Sequence, residues 1–152
     1  MDKKTFLTTV TNSIISFGFT KYKGKIFLLK KDNIVAIVDI QKSNYDAKSY
    51  YINYGFIIDD ENKGITTPYP SYDFFGRFAL NIDGKITDSV DFTLLHEKSF
   101  AQDIDFQIKN YIVSAMKFGL ENYLNATACP VFPITDKAKK YLTEHQSNPS
   151  KT

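Results

Sequence analysis

Three predominantly apolar runs of strand length, 26–31, 34–40 and 50–58, follow one another along the chain, divided by polar breaks. Their β-branched and aromatic content suits a sheet, and the Asp32-Asn33 dipeptide between the first two marks a tight turn. The polar break from Gln41 to Lys48 separates the second from the third, so the chain predicts an antiparallel meander. In the middle strand Ile34, Ala36, Val38 and Ile40 occupy one face. Val35, Ile37, Asp39, Gln41 and Ser43 occupy the other, in a row that passes from apolar to polar.

A different period precedes the meander. Leu7, Val10, Ile14 and Phe17 fall on one helical stripe, and Gly18 followed by Phe19 supplies a left-handed stop with its hydrophobic companion. Next come Lys21, Lys23 and Lys25, spaced to put three ammonium groups on one side of an extended segment. That pattern suits an edge strand protected by lysine better than a nucleic-acid strip. Downstream, residues 59–74 form the least regular segment, with Asp59, Asp60 and Glu61 at its start. Pro68 and Pro70 stiffen the chain around Tyr69, which presents Tyr69 and Tyr72 as candidates for partner contact. Rings folded down on the sheet are the competing arrangement.

Residues 74–81 and 85–95 read as the arms of a second hairpin across Asp83-Gly84. Ser99 and Gln102 match a capping box opening a long helix to about Asn125, with Ile104, Ile108, Ile112, Ala115, Met116, Leu120 and Leu124 as its apolar stripe. Gly119 lies beside that stripe, either as a close-packing point or as a weak spot. Pro130 and Pro133 bracket an extended crossing, and Thr135 or Asp136 starts a last helix through about His145. The predicted fold is α+β: an antiparallel sheet of five or six strands, covered on one face by the N-terminal helix and the long helix. Residues 1–145 make one domain and 146–152 a frayed tail.

Composition narrows the function classes. A chain of 152 residues with 43% hydrophobic and 24% charged residues can build one core without staples. The 10 tyrosines and 13 phenylalanines serve first to fill that core. Net charge is +2, and Arg77 is the sole arginine among 19 basic residues, which disfavours nucleic acid as a partner. A single cysteine, Cys129, cannot close an internal disulfide and is consistent with a reducing, cytoplasmic setting. No stretch reaches the roughly 20 apolar residues of a membrane span.

Candidate chemistry is sparse. His96, His145 and Cys129 show no metal-ligand spacing, and Cys129-Pro130 reads as a packed small hydrophobe. No cofactor is implied. Asp59, Asp60 and Glu61 read as solvated loop acids, and Asp103 and Asp105 suit the first turns of a helix. Arg77, inside the aromatic run 74–78, calls for a charged partner, with Asp39 or Asp59 as the expected one.

The Gly18-Phe19 helix end, the strands after it, the Ile40-Gln41-Lys42-Ser43 tetrad and the strand from Tyr50 to Phe56 together resemble a family of small uncharacterised bacterial proteins, a domain of unknown function. The likeness covers roughly residues 3–95, although this chain lacks the tryptophans found after the central loop in many members. It implies a single α+β domain in a bacterial cytoplasm, and no functional residues carry over. The expected function is a non-enzymatic protein-binding module of inhibitor or immunity type, contacting another protein through Tyr69, Tyr72, Asp59, Asp60 and Glu61. The alternative is a small-molecule-binding protein or enzyme with a pocket between sheet and helix, where Arg77 takes an anionic group and Gln41, Ser43 and Tyr54 add polar contacts. The oligomeric state stays open.

Overall fold

The computed structural model describes residues 1–65, 71–120 and 134–146. Tyr69 with its flanking prolines, Leu124, Asn125, Cys129, Pro130, Pro133 and the 147–152 tail lie outside the described residues. The architecture is α+β, as the sequence pattern predicts. Helix α1 (Lys3–Ser16) is followed by strands β1 (Thr20–Lys23), β2 (Ile26–Lys31), β3 (Ile34–Lys42), β4 (Ser49–Ile58) and β5 (Phe74–Arg77). These five strands pair antiparallel in chain order, and β8 (Val90–Asp91) also joins β4.

Asp2 caps α1 by accepting a 2.7 Å hydrogen bond from the Thr5 amide. Gly18, at φ 95°, ends the helix and turns Phe19 inward. The buried row is Phe6, Val10 and Ile14: Val10 and Ile14 are as expected, Phe6 takes the central place expected of Leu7, and Leu7 and Phe17 lie at the margin. Phe6 is its anchor: its ring lies 5.2 Å from Tyr50, 5.4 Å from Phe100 and 5.9 Å from Phe92. The three lysines do not share a row. A register shift between Lys21 and Lys23 twists edge strand β1, and Lys25 falls in the turn beyond it.

Only part of the second predicted hairpin forms. Strands β6 (Leu80–Ile82) and β7 (Lys85–Thr87) make a two-stranded ribbon whose turn uses positive φ at Asp83 (51°) and Gly84 (81°). Residues 74–77 instead extend the main sheet, and β8 returns to β4, because β4 is long enough to pair with both.

The capping box at Ser99 does not form. Helix α2 (Glu97–Gln107) begins three residues earlier, with His96 in the N-cap position shortly after a 3-10 turn at Phe92–Leu94, and the Ser99 hydroxyl donates back to the His96 carbonyl at 3.2 Å. A π-helical stretch (Ile108–Val113) and α3 (Ser114–Phe118) continue it. The extra residue per turn in the π stretch re-aims the helix so that Ile104, Ile108, Ile112 and Ala115 all reach the core. Gly119, at φ 107°, terminates this helix rather than packing within it. Helix α4 (Asp136–Gln146) starts as expected: the Thr135 hydroxyl accepts from the Ala138 amide at 3.1 Å.

The helices and one face of the sheet share one core. Ile34, Ala36, Val38 and Ile40 meet Tyr50, Ile52, Tyr54, Phe56 and Ile58 there, under Val10, Ile104, Ile112, Ala138 and Leu142. Helix α4 is fastened to the end of β4. The buried Asp73 carboxylate accepts from the Ile58 amide at 2.8 Å and from the Thr135 hydroxyl at 2.7 Å, while Lys137 Nζ donates to the Ile58 carbonyl at 2.6 Å.

Candidate functional site: the helix-free face of the sheet

Strand parity gives the sheet a second face that takes no part in the shared core and that, among the described residues, no helix covers. Register aligns Asp39 on β3, Asn53 on β4 and Arg77 on β5 in one line across the strands, with Gln41 and Tyr51 paired beside it. Asn53 sits at the middle of this line and is only 3% exposed, so its amide must be satisfied by neighbours. Its Nδ2 donates to Gln41 Oε1 at 2.9 Å, and its Oδ1 accepts from Arg77 Nε at 2.8 Å. The Arg77 guanidinium lies 4.3 Å from the centre of the Tyr51 ring, a cation–π placement, and reaches the Asp88 carboxylate at 3.7 Å.

Asp39 shows what the enclosure does to charge. Burial raises its pKa above the ordinary carboxylate value, against the opposing pull of a hydrogen bond from Asn53 and the nearby Lys25 ammonium. Further along the same face Gly55 leaves a gap that the Tyr72 ring fills. A Cβ built on Gly55 would stand 2.3 Å from Tyr72 Cδ1 and 2.3 Å from the Phe74 carbonyl oxygen. Tyr72 packs against Phe75, with ring centroids 5.1 Å apart, and its phenol is raised well above its usual pKa, first by burial and then by the Asp39 charge.

Several predicted site residues therefore fall in other places. Tyr72 is not held out on an arm; it lies against the sheet. Tyr54 is 1% exposed on the opposite, core face, stacked with Phe78 at 4.9 Å and Tyr111 at 6.3 Å. It cannot join Arg77 and Gln41 around one ligand, because Val38 pairs with Tyr54 whereas Asn53 and Tyr51 point the other way. Ser43 is buried at the β3–β4 connection, where its hydroxyl accepts from the Tyr45 and Asp46 amides at 3.1 and 3.3 Å. Arg77 takes Asn53 and Asp88 in place of the expected Asp39 or Asp59.

The acidic triplet has divided roles. Asp59 closes its own loop by accepting from the Lys63 and Gly64 amides at 2.9 and 2.8 Å, which holds its carboxyl below the ordinary pKa. Asp60 and Glu61 are exposed, Asp60 standing 3.7 Å from the Lys137 ammonium and Glu61 pairing with Lys63. His96 and His145 belong to no metal-binding cluster among the described residues.

Asn53, Tyr51, Gly55 and Asp88 are the members that pattern reasoning passed over. A readable signal existed for two of them: an amide and a glycine interrupt the apolar, aromatic run of β4 at positions that alternate with its core residues.

Residues 10–118 match the family described as "Domain of unknown function (DUF4304)". The chain belongs to that family. The matched span begins within α1, takes in the whole main sheet and ends where α3 ends. No curated protein and no solved structure matches the chain significantly. Among the described residues no helix is long and apolar enough to cross a membrane.

Proposed function

We propose that this DUF4304 domain is a non-enzymatic protein-binding module of the cytoplasm, of inhibitor or immunity type, and that the helix-free face of its sheet receives the partner. The observation that carries this reading is the Arg77 arrangement: a half-buried guanidinium fixed between Asn53 and Asp88 over the Tyr51 ring. Tyrosine and arginine are the residue types that dominate binding energy at interfaces. Side chains already held in place lose less conformational freedom on association, so such a patch is suited to a firm contact. Asp60 and Glu61 are exposed beyond the end of β4, where they add polar contacts beside the patch.

The ligand-pocket alternative built on Arg77 loses its premise. That guanidinium is committed to protein groups, and Tyr54, its intended companion, is on the far side of the strand. Affinity capture with the wild-type chain and with the Tyr51→Ala, Arg77→Ala double variant tests the reading. A partner held by the first and lost by the second supports it, and an unchanged set of captured proteins refutes it.

A further inference from the structure

We infer that the partner of this domain presents a carboxylate-rich protein segment, received at one end of the sheet by the Tyr45 ring and the ammonium groups of Lys23, Lys25, Lys42 and Lys48. The inference rests on the protein-binding reading of the helix-free face and names what the partner brings to it. Two connections meet at this end. Strand β1 ends in Lys23, and in the turn that follows, the Lys25 carbonyl accepts from the Ile40 amide at 3.1 Å, which sets the turn beside the end of β3. The β3–β4 connection has Lys42 at its start, paired with Tyr50, and Lys48 at its close, where the Lys48 carbonyl accepts from the Phe92 amide at 3.1 Å. This end adjoins the helix-free face, because the next pair along β3 and β4 is Gln41 with Tyr51.

The β3–β4 connection is fastened from within. The Ser43 hydroxyl accepts from the Tyr45 and Asp46 amides, and the Ser43 amide donates to the Ser49 carbonyl at 2.9 Å. The Asp46 carboxylate accepts from the Lys48 amide at 2.9 Å and from the Ser49 hydroxyl at 2.8 Å. The loop so closed presents Tyr45 with 94% of the residue exposed. A tyrosine displayed on a loop already held in shape offers its ring to a partner at little further cost in conformational freedom.

Charge sets the class of partner. Lys23, Lys25, Lys42 and Lys48 are all exposed, and none joins an ion pair among the described residues. The acids at this end are engaged: Asp46 in its own loop, Asp91 with the Thr93 amide and hydroxyl at 2.9 and 2.6 Å, and Asp39 in its enclosed place on the sheet. At the far end of the meander lysines come with acids, Lys63 pairing with Glu61 and Lys137 with Asp60. The field along the strands therefore draws an acidic surface to the Tyr45 end. Nucleic acid suits the patch less. Lysines supply point charges without the arginine fork that grips phosphate, and the Asp46 carboxyl, kept ionised by the Lys48 amide and the Ser49 hydroxyl, repels phosphate next to Tyr45.

The test places a benzophenone amino acid in the full chain at the exposed Asn44, next to Tyr45, or at Tyr51, crosslinks in cells and identifies the attached peptides by mass spectrometry. The expected result is one partner caught from both positions, joined at position 44 through a segment with an excess of Asp and Glu. Reversing charge at Lys23, Lys25, Lys42 and Lys48 with glutamate should lower the yield at position 44 about tenfold or more, whereas arginine at the same four positions keeps the charge and the adduct. An adduct from 51 with none from 44 overturns the inference and leaves the protein-binding reading standing. An attached segment without acidic excess, a yield indifferent to charge reversal, or an adduct digested by nuclease overturns it as well. No adduct from either position removes both.

Discussion

Gly55→Ala probes the helix-free face with a single methyl group. The added Cβ would sit 2.3 Å from both the Phe74 carbonyl oxygen and Tyr72 Cδ1, far inside van der Waals contact. Tyr72 can swing away, but the Phe74 carbonyl belongs to the β4–β5 ladder, in which Phe56 faces Phe74 and Gly55 faces Phe75. Relief therefore requires β5 to shift. Overpacking of this kind costs about 1–3 kcal/mol. Displacing a largely buried tyrosine ring adds up to about 2 kcal/mol of lost burial. A total of about 2–4 kcal/mol is a large share of the 5–15 kcal/mol typical of a domain, and in urea it lowers the unfolding midpoint by about 1 M or more. The spectroscopic companion is tyrosine ionisation. In the wild type Tyr72 resists deprotonation beyond the usual phenol range, and in Gly55→Ala that resistance should shrink as the ring leaves its seat. A variant with wild-type stability and an unchanged tyrosine titration would refute the placement of Tyr72 on the sheet.

Tyr50→Phe should leave stability unchanged or raise it by about 1 kcal/mol, because the Tyr50 hydroxyl is buried with no hydrogen-bond partner among the described residues and its desolvation is uncompensated; a clear loss in urea denaturation would contradict this. Asp39 titrates above its unfolded value, so the folded state binds its proton more readily, and stability falls as pH rises through the raised folded pKa. Asp39→Asn should therefore be more stable than wild type at neutral pH, with the gain shrinking as pH falls through that raised value, and a gain that does not change with pH would contradict the assignment. Asp73→Ala removes the acceptor of both the Ile58 amide and the Thr135 hydroxyl, and should cost about 2–4 kcal/mol while α4 loses amide-exchange protection before the sheet does.

The meander was legible because three β-branched and aromatic runs of strand length are separated by polar breaks, and its parity because Asp39 and Gln41 mark the second face of β3. What could not be read was register. The connection from Gln41 to Lys48 decides which β4 residue meets Val38, and only the fold shows that this is Tyr54. That single pairing moves Tyr54 into the core and brings Asn53 beside Asp39 and Arg77. The partner of Arg77 was hidden for a related reason: Asp88 arrives from the β7–β8 connection, at a distance no local pattern encodes. Ser99 carried a sound capping signal, yet the 3-10 turn at Phe92–Leu94 launches α2 at Glu97, placing Phe100 and Ile104 on the core, so tertiary packing overrode the local preference. Gly119 was readable as an interruption, though not as a terminus, since glycine adopts φ 107° and ordinary helical angles with similar ease.

The reading of this domain turns on whether the Arg77–Tyr51 face meets another protein. Site-specific photo-crosslinking in cells tests that most directly, with a benzophenone amino acid placed at Tyr51 on the sheet or, as the reference, at the exposed Phe106 on α2. The account predicts a discrete adduct from position 51 that disappears with Arg77→Ala and has no counterpart from position 106. No adduct at 51, or the same adducts from both positions, would contradict it.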